Sequence, residues 1–209
     1  MAYKIPVSVL VVVYTPDLDV LLLERADRRG FWQSVTGSQD EGETLRETAV
    51  RELREETGLD AARYELADWR KQNRYEIYRR WRSRYAPGVT HNVEHVFGLR
   101  VPHQLEVALQ PREHLRHEWL PWQAAAEKVF SWSNAEAIRE VPERAWQASQ
   151  SASLAAWEGS CAAGTPGPNS RCPSSQRTLR SGVKIAQRGT GRRLHSQGAT
   201  DSITWCAGS

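Results

Sequence analysis

Cysteine is missing from most of this 209-residue chain: the three present, Cys161, Cys172 and Cys206, come late and show no metal-ligand spacing. Their placement excludes a disulfide framework or a cysteine-bound zinc in the body of the chain and fits a reducing cytoplasm. Long apolar runs are also missing. The longest, Val7 to Tyr14, falls far short of the about 20 residues that a spanning helix needs. No signal peptide is expected, because Lys4 and Pro6 precede a strand-like run without a small-residue cleavage site. Large aliphatic residues and sustained periodicity are scarce from Ser149 to Ser209. Such a stretch buries too little apolar surface to offset its ordering entropy, so a disordered tail is expected there.

Charge divides the chain at the same place. Residues 1–148 hold 21 Lys+Arg against 23 Asp+Glu, whereas 149–209 hold 7 against 2. The organisation expected is therefore a folded domain over 1–148 and a low-complexity basic tail over 149–209. A basic arm for nucleic acid is the functional alternative for the tail, but its basic residues are scattered from Arg171 to Arg193 rather than clustered. The abrupt compositional break is also compatible with translation in a shifted frame.

What the chain does contain is one run of fixed spacing: Gly37-x5-Glu43-x7-Arg51-Glu52-Leu53-x-Glu55-Glu56-x-Gly58-Leu59. Thr44 and Glu47 form a capping box that starts a helix, and Gly58 suits its left-handed C-terminal cap. At about 100° per residue, Leu45, Ala49, Val50 and Leu53 share one arc, predicted to face a core. Glu52, Glu55 and Glu56 occupy the neighbouring arc. Acids so close repel by some tenths of a kcal/mol per pair in water. A hard cation such as Mg²⁺ reverses that penalty, because it takes oxygen ligands and is commonly shared between carboxylates and phosphates. A solvated glutamate-rich face would explain the acids alone; it does not explain Gly37, Gly42, Glu43, Arg51 and Gly58 falling at their places as well.

Around this helix the pattern alternates as in an α/β domain. Strands are predicted at Val7–Tyr14, Val20–Arg25, Phe31–Val35, Tyr64–Trp69, Arg74–Trp81, Glu94–Val101 and His117–Leu120. A second capping box at Ser133–Glu136 opens a helix running towards Trp146. The architecture expected is a mixed β-sheet between helical layers.

The run fills every fixed position of the Nudix box, and the chain resembles the Nudix hydrolases. That resemblance implies the Nudix fold and metal-assisted hydrolysis of a diphosphate linked to another group. Glu52 and Glu56 become the expected metal ligands, Glu55 a further ligand or the base, and Glu43 a weaker candidate. Arg51 would orient a metal-binding glutamate, which completes a catalytic set of Arg51, Glu52, Glu55 and Glu56. Mg²⁺ is the cofactor implied, with Mn²⁺ as a substitute.

Further segments narrow the resemblance. Pro6-Val7-Ser8, Phe31 to Ser38, Arg84 to Thr90, Glu113-His114-Leu115, Glu118-Trp119-Leu120 and Ser131 to Asn134 look like the dihydroneopterin triphosphate diphosphatases, over roughly residues 3–147. This implies Glu113 as an additional metal ligand from an opposite loop. It also implies Lys4, Arg25, Thr36 and Ser131 as substrate contacts. Tyr75-Glu76-Ile77-Tyr78 matches a segment lying beside the base. Strand alternation would put Tyr75 and Ile77 on one face with Glu76 and Tyr78 on the other, one tyrosine stacking on the ring. The expected enzyme is cytoplasmic and hydrolyses dihydroneopterin triphosphate to its monophosphate and pyrophosphate, with no membrane or nucleic-acid partner. The alternatives are a nucleotide-pool sanitiser acting on dATP or 8-oxo-dGTP, a non-catalytic nucleotide-sensing module, and an RNA-processing hydrolase using the basic tail.

Overall fold

The structure, a computed structural model, describes residues 3–150. The expected tail and all three cysteines lie outside those residues, apart from the first positions of the tail. Seven strands form one mixed sheet: β1 (Val7–Tyr14), β2 (Asp19–Arg25), β3 (Trp32–Gln33), β4 (Val35–Ser38), β5 (Glu65–Glu76), β6 (His91–Arg100) and β7 (His114–Pro121). The main order is β3-β2-β1-β6-β5, with β4 also on β1 and β7 also on β2. β1 and β6 run parallel, Val7 beside Val93 through to Tyr14 beside Arg100. Every other pairing between strands is antiparallel.

Alternation along β1 divides the core in two. Val9, Val11 and Val13 pack with Ala49 and Leu53 of α1 (Leu45–Thr57). Leu10, Val12 and Tyr14 pack with Ala125 of α2 (Trp122–Lys128) and with Ala137 and Ile138 of α3 (Trp132–Arg139). Each fully buried Val or Leu contributes about 1.5–3 kcal/mol, so β1 is the mechanical centre of the domain. The expected sheet between helical layers is what forms. Among the described residues no helix is long and apolar enough to cross a membrane.

Local expectations change in β5, α3 and α1. The two strands placed at 64–69 and 74–81 are one strand, β5, ending at Glu76. An irregularity inside it inserts Trp69 and Arg70 between the Asp68–Phe97 and Lys71–Val96 pairs. Arg70 sits at φ 54°, and its N–H donates to Asp68 Oδ1 at 2.8 Å, the kind of local aspartate bond that supports a left-handed residue. Trp69 meanwhile lies over Gly98, where a Cβ would come within 2.5 Å of the indole. After Glu76 the chain leaves the sheet for a 3₁₀ turn over Arg79–Arg84.

α3 starts at Trp132, capped by Ser131, whose Oγ accepts from Asn134 N at 3.3 Å. Ser133 is therefore inside the helix and buried, and the helix is interrupted at Glu140 before residues 141–150 turn helical again. The short α2 had no sequence signal beyond three alanines. On α1, Val50 is 36% exposed, while Thr48, Glu52 and Glu56 are buried. The helix is rotated relative to its apolar arc.

Candidate active site

Both halves of the capping box on α1 are made: Glu47 N–H donates to Thr44 Oγ1 at 3.2 Å, and Thr44 N–H donates to Glu47 Oε2 at 2.7 Å. Gly58 closes the helix at φ 71°. With both ends fixed, the rotation of α1 delivers Glu52 and Glu56 onto β4. Gly37 makes room for this, since a Cβ there would lie 1.8 Å from Glu52 Cδ. Glu56 is 3% exposed, and its Oε2 accepts a long bond from Thr36 N at 3.4 Å.

Arg51 ties these acids together. Its Nε and Nη2 fork onto Glu43 at 2.7 and 3.0 Å, its Nη1 donates to Glu52 Oε1 at 2.7 Å and to Glu55 Oε2 at 3.3 Å, and Nη2 also reaches Ser38 O at 3.0 Å. Glu43 accepts as well from Thr48 Oγ1 and Asp40 N, so its oxygens are committed to holding Arg51. The guanidinium beside it holds the Glu43 carboxyl down at about 2.

The three acids expected on one face do not share one environment. Glu55 is exposed. Burial pushes the Glu52 carboxyl up to about 7 against the pull of Arg51, and burial likewise raises Glu56 against the pull of His114. Glu56 and Glu113, expected together, do come together, and they bring His114: one ligand atom from each lies within 4.8 Å of the others. His114 is 3% exposed. Its Nε2 lies 3.3 Å from Glu56 Oε2 as an ion-pair contact, and neither ring nitrogen makes a hydrogen bond to a described residue. In the sequence, His114 falls within the matched Glu113-His114-Leu115 segment and carries no assigned role. Its position one residue after an expected ligand was the available signal.

Next to β4 lies a cleft of about 470 Å³. Thr36, Gly37 and Ser38 line the end beside α1; Lys4, Arg25 and Arg84 add positive charge, and Tyr75, Tyr78, Trp81 and Trp132 add aromatic surface. Of the expected substrate contacts, Lys4, Arg25, Thr36, Tyr75, Glu76, Tyr78 and Ser131 all line it. Lys4 Nζ is 3.4 Å from Ser38 Oγ. Arg25 is forked onto Asp27 at 2.8 Å and donates to Gln33 Oε1 at 2.9 Å, so its guanidinium is already engaged. Thr36 Oγ1 donates to Val9 O at 3.0 Å, and the Ser131 hydroxyl caps α3.

Ile77 differs from expectation. It is 3% exposed and does not line the cleft, because the strand ends at Glu76 and alternation lapses there. Its backbone instead bonds Thr90 O at 2.8 Å and accepts from Arg82 Nε at 3.1 Å. Tyr75 is inside the cleft, its hydroxyl held by Asn92 Nδ2 at 3.1 Å and pushed up to about 12 by burial. Tyr78 stands 57% exposed at the mouth, edge-on to Trp81 with centroids 5.4 Å apart.

Residues 4–141 match the family pattern described as the NUDIX domain. The chain belongs to the Nudix hydrolases. Over 141 residues it is 47% identical to the dihydroneopterin triphosphate diphosphatase of Escherichia coli K12, covering 66% of this chain and 93% of that one. The enzyme of the same name from Haemophilus influenzae is 43% identical over 143 residues, 67% of this chain and 89% of the relative. The solved structure of the E. coli dihydroneopterin triphosphate pyrophosphohydrolase superposes with a TM-score of 0.62 at 46% identity, covering 67% of this chain and 97% of that chain.

Nudix hydrolases generally use a divalent metal, and the donors in this Nudix chain fit one. Glu52, Glu56 and Glu113 are hard oxygen donors, two of them buried, and the His114 imidazole, without a hydrogen bond among the described residues, adjoins them. A buried acid with a raised pKa also has a consequence for stability. Below its ordinary 4.5, Glu52 is protonated whether the chain is folded or unfolded; as pH rises through about 7 the folded state must bear a buried charge. The stability contributed at low pH is lost across that window, by an upper bound of about 3 kcal/mol. Glu43 stays ionised throughout it. Metal-free protein is therefore expected to melt lower at pH 8 than at pH 5.5. Added Mg²⁺ should raise the melting temperature more at pH 8, because ionised carboxylates attract a divalent cation and protonated ones do not. Scanning fluorimetry with EDTA or Mg²⁺ at both pH values checks this, and a metal shift independent of pH would contradict it.

Proposed function

We propose that this Nudix hydrolase converts dihydroneopterin triphosphate to dihydroneopterin monophosphate and pyrophosphate, with Mg²⁺ as its cofactor and Mn²⁺ able to substitute. The observation that carries the reading is the cleft beside β4. It runs from the Thr36–Ser38 edge, against which Glu52 and Glu56 are packed, to a buried polar floor between aromatic side chains. That arrangement suits a flat heterocycle joined to a polyphosphate. The dihydroneopterin triphosphate diphosphatases of E. coli and H. influenzae match over nearly their whole length, which supports the same substrate here.

On this reading Glu52, Glu56 and Glu113 hold the cation, which when bound neutralises phosphate charge and lowers the pKa of an attacking water. Arg51 orients Glu52 by its 2.7 Å bond and fixes Glu43 with the same guanidinium. Glu55, exposed beside them, is free to accept the proton of the attacking water or to contact the cation. Lys4 and Arg84 meet phosphate oxygens, as does Arg25 if it exchanges Asp27 for substrate. One P–O–P bridge breaks, water supplies the new P–O bond, and pyrophosphate leaves. The reading places the activity in residues 1–148, in the cytoplasm, with a small-molecule substrate and no nucleic-acid partner.

A substrate panel with Mg²⁺ tests it. Pyrophosphate release from dihydroneopterin triphosphate should exceed that from dATP, dGTP or 8-oxo-dGTP by at least about tenfold in kcat/KM, the scale of one or two differential contacts. Equal or reversed preference would make the chain a nucleotide-pool enzyme. Tight retention of ligand without phosphate release would make it a sensing module.

A further inference from the structure

Building on the pterin reading, we infer that Asn92 and Glu94 are the specificity-determining residues of the cleft: a pair of buried acceptors that reads the N–H donors on the ring's polar edge. They lie two apart on β6, so they share a face. Both line the cleft, and they are only 2% and 5% exposed.

The Asn92 amide is satisfied on one side alone. Its Nδ2 bonds Ser8 Oγ at 2.7 Å and the Tyr75 hydroxyl at 3.1 Å, while Oδ1 has no partner among the described residues. A buried acceptor in that condition is costly, and a ligand N–H relieves the cost. Glu94 accepts from Asn73 Nδ2 at 3.3 Å. Burial pushes its carboxyl up, with Ser133 and Asn73 pulling the other way. Neither residue touches the Glu56–Glu113–His114 group, so the metal chemistry does not account for them.

The complementary ligand carries adjacent donors. A 2-amino-4-oxo-pteridine presents its ring N3–H and its 2-amino group as a fork, which a carboxylate accepts through two parallel bonds as it would a guanidinium. Guanine offers the same fork. Adenine does not: beside its amino group stands a ring nitrogen that accepts, and it would face the carboxylate lone pair to lone pair. A site built around hydrogen-bonding partners discriminates strongly, because a wrong ligand leaves buried polar groups unpaired.

The test is the ratio of kcat/KM for dihydroneopterin triphosphate to that for dATP, in the full chain and in Glu94→Gln. The variant keeps the shape and turns one acceptor into a donor. We expect the ratio to fall about 100-fold, and fluorescence quenching by the protein to show weakened binding of 7,8-dihydroneopterin without its phosphates. The dGTP preference should fall in parallel. Asn92→Ala should lower the same ratio about tenfold, and it decides the matter alone should Glu94→Gln not accumulate folded. A folded Glu94→Gln chain that keeps its ratio within about threefold, or that loses both substrates by one factor, overturns the inference while the substrate reading stands. A wild-type chain with no pterin preference overturns the substrate reading and the inference with it.

Discussion

Glu56→Gln is expected to lower turnover about 10³-fold on any diphosphate substrate and to leave the metal-free fold as stable as before, or more so. Lewis-acid stabilisation of transition-state charge is worth several kcal/mol, and each 1.4 kcal/mol is tenfold in rate. The amide keeps the volume of the side chain and its approach to Thr36 N and His114, but it holds a divalent cation poorly. Stability should move the other way because burial opposes the ionised form of Glu56. Wherever wild-type Glu56 is ionised without metal it bears a buried charge that the variant does not. Steady-state kinetics paired with a melting curve in EDTA checks both halves. Unchanged turnover would remove Glu56 from the metal site, and a collapse of the fold would make it a structural residue.

Gly37→Ala is the second large effect, and here a methyl group does the damage. Its Cβ would lie 1.8 Å from both Cδ and Oε1 of Glu52 and 2.3 Å from Oε2. The obstruction is the far end of a flexible side chain, so the backbone need not move and the domain should still fold. Glu52 must then swing away, breaking the 2.7 Å bond from Arg51. Displacing a metal-binding group or its support commonly costs 10–100-fold in metal affinity or activity, so kcat/KM should fall about 10–100-fold. The melting temperature should drop by only a few degrees. Mn²⁺ titration followed by electron paramagnetic resonance separates lost metal from lost fold, and full activity would show that Glu52 has another place to go. Gly98→Ala should behave differently, because its Cβ would press on the rigid Trp69 indole at 2.5 Å.

The acidic helix was legible because what defines it is local. A capping box, a left-handed glycine and charge spacing all lie within one short segment, and the structure reproduces both caps. Its rotation was not legible. Leu45, Ala49, Val50 and Leu53 mark an apolar arc, yet the helix turns Val50 outward and Glu52 inward, since the gap above Gly37 belongs to a different strand. The same holds elsewhere. Whether Asn92 and Glu94 face core or cleft depends on pairing with β1 and β5, and the sequence of β6 alone carries no trace of that. The irregularity at Arg70 split one strand into two apparent ones. His114 became notable only when β7 set it against Glu56.

The parallel pairing of β1 with β6 has a bearing on how the enzyme is born. A nascent chain that has reached Leu59 already holds every residue of the Nudix box, and the helix needs no distant partner to nucleate. Asn92 and Glu94 have not yet been synthesised, and they reach the cleft only when Val93 comes to rest beside Val7. Closure over that separation is slow compared with winding a helix. The box helix and the ring-reading pair are thus assembled on different clocks, and a chain arrested midway carries the box while lacking both Glu113 and the residues that would choose what is cut.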